Sequence, residues 1–271
     1  MIDQEAQKLK IFTPFETKTF RVAQPVFLGR GSGSGILLIH GFTGSPHDYS
    51  FLAPFLAEHG YSVMVPRLPG HGTNAMDFLN TRAEDWIRRA LDAAADARGL
   101  WKKVGVVGLS MGGLIATILA STIKVDSLVL AAPAFGVANA SFNLVPLFRF
   151  FVREIPKNPE EIPQFEDPEL QTLSREYWSK HMVPALYQLW RVKRIAWKKL
   201  KHVVVPTLFI ASEKDGTVPL AAVQKAYDNI SSQRKEMMVL KKSGHVVVND
   251  VEKELVAERI LSWFEKTMGG A

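Results

Sequence analysis

The stretch "VGVVGLSMGGL", Val104–Leu114, decides how this chain folds. Ser110 follows an apolar run typical of a buried parallel strand and precedes a second run that predicts a helix. The pentapeptide "GLSMG" matches the pattern G-x-S-x-G, and a strand–turn–helix context is what this motif requires. Such a turn raises the serine hydroxyl above the sheet, at the positive end of the following helix. Ser110 is therefore predicted to be a nucleophile rather than only a small residue at a sharp turn.

The composition is that of a globular protein: 271 residues, 47% hydrophobic and 22% charged. No apolar run approaches the roughly 20 residues of a membrane span. The N-terminal "MIDQEAQKLK" has no apolar signal core. We therefore expect a soluble, cytoplasmic protein. The absence of cysteine excludes disulfides, thiolate metal sites and a cysteine nucleophile.

The net charge of +6 does not indicate a nucleic-acid binder. Such a protein concentrates basic residues in a patch with interleaved aromatic side chains. Here most of the chain is mixed in sign, and only residues 134–201 are locally basic. The glycine-rich "GRGSGSG" at Gly29–Gly35 precedes a strand and lacks the Gly-Lys-Ser/Thr ending of a phosphate loop. We expect no nucleic acid, no organic cofactor and no metal ion.

From Gly35 onward, strand-like and helix-like segments alternate. Strands separated by helices predict a mostly parallel sheet that is covered by helices on both faces. Thr81 and Glu84 predict a capping box at the start of one helix, and the last helix is expected from about Val251. The first 30 residues are expected to add an edge strand or hairpin. The predicted strands are Ile36–His40, Tyr61–Pro66, "KVGVVGL", "VDSLVLAAP", "PTLFIAS" and "KEMMVLK".

The alternation stops at Pro133 and resumes near Pro206. The chain is therefore divided into a core, residues 1–133 and 202–271, and an inserted helical cap, residues 134–201, over the functional edge of the sheet. The insertion begins with the phenylalanine-rich "FNLVPLFRFFV". A helical decoration without a role in binding is the alternative interpretation.

A serine nucleophile needs a base, and the base needs a carboxylate. In this strand–turn–helix fold the order along the chain is serine, acid, histidine. His245 directly follows the last predicted strand, and Asp215 follows the strand before it. Glu213 and Asp250 are rival acids, although Asp250 is expected to cap the last helix. The other histidines precede Ser110 or lie in or beside predicted helices or the insertion: His40, His47, His59, His71, His181 and His202.

An oxyanion intermediate needs two fixed hydrogen-bond donors. The backbone N–H of Met111, directly after the serine, is one candidate. The second is the N–H of Phe42 in "HGFTGS", where His40 and Gly41 make the turn after the first core strand. The Phe42 side chain is then available to line an acyl pocket, with ordinary loop packing as the alternative.

With "LLIHGFTGSPHD", "VPRLPGHGT", "EDW", "GLSMGG", "EKDGTVP" and "SGHV" in this order, the chain resembles bacterial carboxylesterases and monoacylglycerol lipases of the α/β-hydrolase superfamily. The resemblance covers Ile36 onward. It implies an α/β-hydrolase fold with a helical cap, and cleavage of short- to medium-chain esters, including monoacylglycerols, without a cofactor. It also implies a catalytic triad and two oxyanion donors, namely Ser110, Asp215, His245, Phe42 and Met111.

The insertion falls where the cap of this family lies, and it is longer and more aromatic. Gly41, Phe42 and cap residues near Phe142 and Phe148 are the candidate substrate contacts. The phenylalanine-rich segment is compatible with a lipid-sized tunnel or with transient contact to a lipid interface. Thioesterases, C–C bond hydrolases, acyltransferases and perhydrolases share such a triad, and a non-catalytic small-ligand receptor is a rival of another class. Serine at position 110 disfavours epoxide hydrolases and haloalkane dehalogenases.

Overall fold

A seven-stranded sheet forms the centre of the computed structural model, which describes residues 18–29, 31 and 33–269. Its spatial order is β1-β3-β2-β4-β5-β8-β9, with the β1 edge strand antiparallel and the other pairs parallel. The predicted mostly parallel sheet is confirmed, and the edge strand lies within the first 30 residues; residues 1–17 lie outside the described residues. The strands are β1 (Val26–Leu28), β2 (Ser34–Ile39), β3 (Ser62–Val65), β4 (Lys103–Leu109), β5 (Ser127–Ala131), β6 (Glu154–Pro156), β7 (Lys180–Met182), β8 (Thr207–Ser212) and β9 (Lys235–Leu240). Of these, β6 and β7 form a separate antiparallel pair.

Helices cover both faces of the sheet. The helices are α1 (Leu52–Glu58), α2 (Ala75–Leu79), α3 (Ala83–Leu100), α4 (Met111–Ala120), α5 (Val145–Phe148), α6 (Pro168–Trp178), α7 (Val183–Leu200), α8 (Leu220–Asn229) and α9 (Lys253–Met268). Short 3-10 helices occur at Arg21–Ala23, Pro46–Tyr49, Ala140–Leu144, Pro159–Glu161 and Val247–Asn249.

The strand β2 shows why the central strands are apolar throughout. Leu37 and Ile39 belong to the core shared with α3, α4 and α7, whereas Ile36 and Leu38 belong to the core shared with α1 and α9. Successive side chains of a strand point to opposite faces, and both faces are covered here. Every residue of β2 is consequently buried.

The start of α3 differs from the predicted capping box. Arg82 is the N-cap residue, and its backbone N–H donates to the carboxylate of Asp85 at 2.8 Å. Thr81 instead donates its hydroxyl to the carbonyl of Phe78 at 2.7 Å. The prediction of Thr81 and Glu84 was wrong by one residue because Thr81 closes the turn that follows α2.

The segment between β5 and β8 has two parts that differ in their packing. Its last helix, α7, packs along α4, and its buried residues belong to the core on that face of the sheet. The preceding part, from the 3-10 helix Ala140–Leu144 to β7, lies at the edge where the parallel strands end. There Tyr177 of α6 donates its hydroxyl to the carbonyl of Gly70 at 2.8 Å and accepts from the N–H of Thr73 at 3.0 Å.

Candidate active site

Ser110 occupies a sharp turn between β4 and α4. Its φ of 54° and ψ of −113° are a strained combination for a residue with a side chain. The Ser110 N–H donates to the carbonyl of Ala131 on the neighbouring strand at 2.9 Å, which holds the turn in place. A Cβ on Gly108 would lie 2.2 Å from the Gly112 oxygen, and one on Gly112 would lie 1.9 Å from the Ile39 oxygen. Both motif glycines are therefore required by the close approach of backbones.

His245 and Asp215 join Ser110 in a continuous hydrogen-bonded chain. The Nε2 atom of His245 lies 2.8 Å from Ser110 Oγ, and its Nδ1 atom lies 2.8 Å from Asp215 Oδ2. The other oxygen of Asp215 accepts from the N–H groups of Thr217 at 2.8 Å and Val218 at 2.9 Å. With Nδ1–H donated to the carboxylate, Nε2 can accept the serine proton. The structure brings the three predicted residues together in the geometry of a nucleophile, a base and an orienting acid.

The two rival carboxylates lie elsewhere. Glu213 pairs with Lys241 on the surface. Asp250 accepts from the N–H of Gly244 at 2.6 Å and does not cap α9, which begins at Lys253 with Glu252 as its N-cap residue. The expectation that Asp250 caps the last helix was wrong, because the chain makes an additional turn before α9 begins.

Glu252 is a supporting residue that the sequence did not indicate. Its carboxylate accepts from the N–H of Lys242 at 2.9 Å, and from the N–H and hydroxyl of Ser243, each at 2.8 Å. Asp250 and Glu252 together thus hold the turn that carries His245. Their partners are backbone groups of a loop, for which a single sequence carries no recognisable pattern.

The loop Gly41–Ser45, after β2, lies beside the serine. A Cβ on Gly41 would be 3.5 Å from Ser110 Cβ. Phe42 lines the same cavity as Ser110, and its ring packs against Phe78 with centroids 5.1 Å apart. Met111 is buried as the first residue of α4. Met111 therefore follows Ser110 directly in the chain, and Phe42 lines the same cavity as Ser110.

A cavity of about 530 Å³ opens onto Ser110 and His245. Phe142 is 6% exposed and lines this cavity, whereas Phe148 is 43% exposed and is not among the lining residues. The structure thus brings Gly41, Phe42 and Phe142 to the cavity, but not Phe148, whose side chain points to solvent from the end of α5. The apolar wall contributed by residues 134–201 consists of Ala134, Val137, Phe142, Pro163, Phe165, Tyr177, Trp178, Met182, Leu186 and Leu189.

Asp48 is a further acidic residue at the cavity, and it was not singled out from the sequence. It belongs to the 3-10 helix Pro46–Tyr49, and its carboxylate accepts from the N–H of Gly41 at 3.3 Å. Burial raises the pKa of Asp48 to about 6, against the lowering effects of the Gly41 and Ser45 amides and of His245. An aspartate in a short turn has no periodicity, so only its tertiary surroundings mark it.

His40 and His71 form a buried pair beneath the loop. His40 Nδ1–H donates to the Gly41 carbonyl at 3.0 Å, and its Nε2 accepts from the N–H of Leu68 at 3.0 Å. The two imidazole rings lie 4.9 Å apart. Burial lowers the pKa of His40 to about 4 and that of His71 well below its ordinary value. Both rings are therefore neutral near pH 7 and serve the packing of the loop.

Within the part of the chain that the structure describes, no group of three or more histidine and carboxylate side chains could hold a metal ion. The described helices also include none with the length and apolarity to cross a bilayer.

The model of the alpha/beta hydrolase family matches residues 36–259, which include most of β2, the Ser110 turn and the loops of Asp215 and His245. The chain belongs to the alpha/beta hydrolase family.

This alpha/beta hydrolase has relatives among enzymes that act on lipids and esters. It is 31% identical over 256 residues to the thermostable monoacylglycerol lipase of Bacillus sp. (strain H-257), with 91% of this chain and 96% of that protein covered. It is 25% identical over 252 residues to a carboxylesterase of Bacillus subtilis (strain 168), covering 89% of this chain and 96% of that protein. A solved structure from a study of LipS and LipT, two metagenome-derived lipolytic enzymes, is 28% identical with a TM-score of 0.81, and covers 92% of this chain and 100% of that one. The predicted relationship to carboxylesterases and monoacylglycerol lipases is confirmed, which makes the chain a lipase- or esterase-type hydrolase.

Proposed function

We propose that this alpha/beta hydrolase cleaves carboxylic esters with Ser110 as nucleophile, His245 as general base and Asp215 as the orienting acid. The observation that carries the proposal is the chain of two 2.8 Å hydrogen bonds from Asp215 through His245 to Ser110. Its serine end opens into a cavity large enough for a small substrate.

In the first half of the reaction, Ser110 Oγ attacks the ester carbonyl carbon while His245 Nε2 takes the hydroxyl proton. Asp215 stabilises the imidazolium that forms. The tetrahedral intermediate collapses when His245 donates that proton to the departing alcohol oxygen, which leaves an acyl group on Ser110. Water then repeats the sequence and releases the carboxylic acid. Neither half requires a metal or an organic cofactor.

The N–H groups of Phe42 and Met111 are proposed to bind the oxyanion. Met111 begins α4, whose amino end carries unpaired N–H groups and a partial positive charge. Phe42 belongs to the loop whose first residue, Gly41, lies against Ser110. Two such donors, fixed before the substrate arrives, are the usual way to stabilise the charge of an acyl-transfer intermediate.

The proposed substrates are esters of short- to medium-chain acyl groups, including monoacylglycerols. The apolar wall of the cavity, with Phe142, Leu186 and Leu189, is suited to an acyl chain. Thr43 and Thr217 add hydroxyl groups to the lining, which are suited to the alcohol part. The monoacylglycerol lipase at 31% identity supports the same class of substrate.

We also propose that residues 134–201 act as a cap on a core formed by residues 1–133 and 202–271. The indole N–H of Trp178 donates to Thr43 Oγ1 at 2.9 Å, which links this segment to the loop of Phe42. The helix α7 anchors the other end of the segment against α4. A cap attached in this way closes the cavity over Ser110.

The outer surface of this cap is proposed to make transient contact with a lipid interface. Phe150 and Phe151 are 70% and 80% exposed, and Leu147 is 61% exposed. Arg149 lies between them in the sequence, and Arg153 follows Phe151 by two residues. Exposed aromatic side chains with basic neighbours suit a membrane surface that carries negative charge.

The experiment that tests the function is hydrolysis of p-nitrophenyl esters from acetate to laurate by the wild type and Ser110→Ala. Ser121→Ala is the matched control, since its hydroxyl donates to the Ile118 carbonyl and lies beside the Thr122 hydroxyl at the far end of α4. We expect the wild type and the control to be active and Ser110→Ala to lose activity and labelling by a fluorophosphonate. A wild type that cleaves none of these esters, or an active Ser110→Ala, would exclude the proposed function and favour the thioesterase, acyltransferase, C–C hydrolase or receptor alternatives.

A further inference from the structure

The loop Gly41–Ser45 has a conformation that its own residues do not favour. Thr43 has a φ of 59°, in the left-handed region that is unfavourable for a β-branched residue. Within the loop, the Gly44 N–H donates to the Gly41 carbonyl at 3.3 Å, a long hydrogen bond. Contacts from outside the loop must therefore hold its shape.

Asp48 supplies such a contact at both ends of the loop. Its carboxylate accepts from the N–H of Gly41 at 3.3 Å, and its backbone N–H donates to the carbonyl of Ser45 at 3.0 Å. Gly41 and Ser45 are the first and last residues of the loop. Asp48 thus contacts both ends of the loop, with its carboxylate at Gly41 and its backbone N–H at Ser45.

Because Gly44 has no side chain, the carboxylate of Asp48 has room to pack against it. A Cβ at position 44 would lie 2.2 Å from Asp48 Oδ2, inside the van der Waals distance. A Cβ at Gly41 would lie 3.9 Å from the same oxygen and 3.5 Å from Ser110 Cβ. The carboxylate of Asp48 is consequently packed against the loop on the side that also contacts the nucleophile turn.

The charge of Asp48 is unfavourable for the fold, since burial raises its pKa. A partly buried carboxylate is retained at low energetic cost only where hydrogen-bond donors compensate it. The donor here is the N–H of Gly41. His245 on the loop after β9 and Tyr49 on the same 3-10 helix are the titratable groups that interact with this carboxylate. The contacts of Asp48 therefore indicate that this residue holds the loop rather than stabilising the core in general.

We propose that Asp48 is a positioning residue, which holds the loop Gly41–Ser45 so that the N–H of Phe42 faces the substrate oxygen. The inference rests on the proposed function, in which that N–H is an oxyanion donor. Asp48 itself transfers no proton and forms no bond with the substrate. Its effect is expected in the transition state, where the oxyanion develops, and not in the binding of the ester.

The test compares Asp48→Ala and Asp48→Asn with the wild type on p-nitrophenyl butyrate. Misplacing an oxyanion donor lowers kcat by about 100-fold, so we expect this loss in Asp48→Ala with KM close to wild type. Asp48→Asn keeps an oxygen that accepts from the amides, and should recover most of kcat. Inhibition by butylboronic acid, which forms a tetrahedral adduct on a serine, should weaken in parallel with kcat.

Asp126→Asn is the matched control, because Asp126 also accepts a backbone N–H, that of Val104 at 2.8 Å, at the opposite end of β4. It should keep the wild-type kcat. Gly44→Ala gives an independent perturbation, since the added methyl group must displace the carboxylate, and it should reproduce the kcat loss even where Asp48→Ala folds poorly.

Wild-type kcat in Asp48→Ala or in Gly44→Ala would overturn the inference, as would an equal loss in Asp48→Asn. An inactive wild type or an active Ser110→Ala would instead contradict the proposed function. The two failures are thus distinguishable in one set of assays.

Discussion

His245 donates from Nδ1 to Asp215 Oδ2 at 2.8 Å, and the side chain of Asp215 is only 2% exposed. The turn after β8 shields this carboxylate from water and occupies its second oxygen with two backbone amides. Because one oxygen is already bound by backbone N–H groups, the other has a fixed direction toward the imidazole. The position of His245 above Ser110 is therefore set by a turn about 30 residues earlier in the chain.

Replacing Asp215 by asparagine should lower kcat by about 10⁴-fold, since an amide favours the wrong imidazole tautomer. Glu213→Gln is the matched control because Glu213 is two residues away and pairs with Lys241 on the surface. It should retain the wild-type rate. Steady-state hydrolysis of p-nitrophenyl butyrate measures both. A slow Glu213→Gln beside an active Asp215→Asn would assign the acid to Glu213.

Phe142→Ala should shift the preferred acyl chain of p-nitrophenyl esters to greater length. Removing this ring enlarges the cavity of about 530 Å³ on its apolar side. Phe148→Ala is the control, since that ring is largely exposed outside the cavity. Its chain-length profile should match the wild type. Equal shifts in both variants would show that the effect does not come from the cavity wall.

The double variant Phe150→Ser/Phe151→Ser should bind vesicles of phosphatidylglycerol more weakly, by about tenfold for each ring. Hydrolysis of a water-soluble ester should be unchanged, because neither ring lines the cavity. Co-sedimentation with the vesicles measures the binding. The control is Val251→Ser/Leu255→Ser, which removes exposed apolar side chains near the start of α9, 69% and 50% exposed. Retained binding in the phenylalanine variant would exclude the proposed contact.

The contribution of His40 and His71 to the free energy of unfolding should fall as the pH is lowered from about 6.5 to about 4, and Asp48, whose folded-state pKa is raised, offsets part of this loss. The folded-state pKa values of His40 and His71 are below the value of an exposed histidine, so the unfolded chain binds more protons in this range. The shift of His40 alone corresponds to roughly 3 kcal/mol. Urea unfolding at several pH values measures the loss.

His71→Phe should reduce that acid sensitivity. The ring of His71 packs among Phe78, Trp86 and His40, and its Nε2 atom has no hydrogen-bond partner. Phenylalanine cannot be protonated, and although it loses the 3.0 Å hydrogen bond from His71 Nδ1 to the Pro69 carbonyl, that carbonyl keeps the indole N–H of Trp86 as a donor at 3.1 Å. His202→Gln, at an exposed position, should keep the wild-type dependence on pH. If the free energy of unfolding of His71→Phe depends on pH as strongly as that of the wild type, groups other than His71 cause the loss of stability in acid.

The parallel sheet and the Ser110 turn were predictable because their signals are local. The strand β4, the serine between glycines and the helix α4 follow one another directly in the chain. Gly112 is required because a Cβ there would meet the Ile39 oxygen of another strand. This requirement was nevertheless visible in the sequence, since the glycine is part of the motif G-x-S-x-G. His245 could be placed since parallel strands bring the loops at their carboxyl ends to one edge.

The two wrong helix caps and the wrong placement of Phe148 have a common cause, namely turns that single residues in the sequence do not reveal. Thr81 and Asp250 are good capping residues in isolation, yet the turns before α3 and α9 assign the caps to Arg82 and Glu252. Phe148 was grouped with Phe142 because both are phenylalanines of one segment. The 3-10 turn and the short helix α5 place one ring inward and the other outward.

The sequence by itself determined the fold class, the nucleophile turn and the order of the residues that meet there. Those features depend on apolar periodicity and on short motifs, which neighbouring residues carry. Only the tertiary structure decided which carboxylate meets His245, what Asp48 contacts and which rings of residues 134–201 reach the cavity. Such contacts join residues from separate turns, and their geometry depends on packing across the sheet edge that no local pattern records.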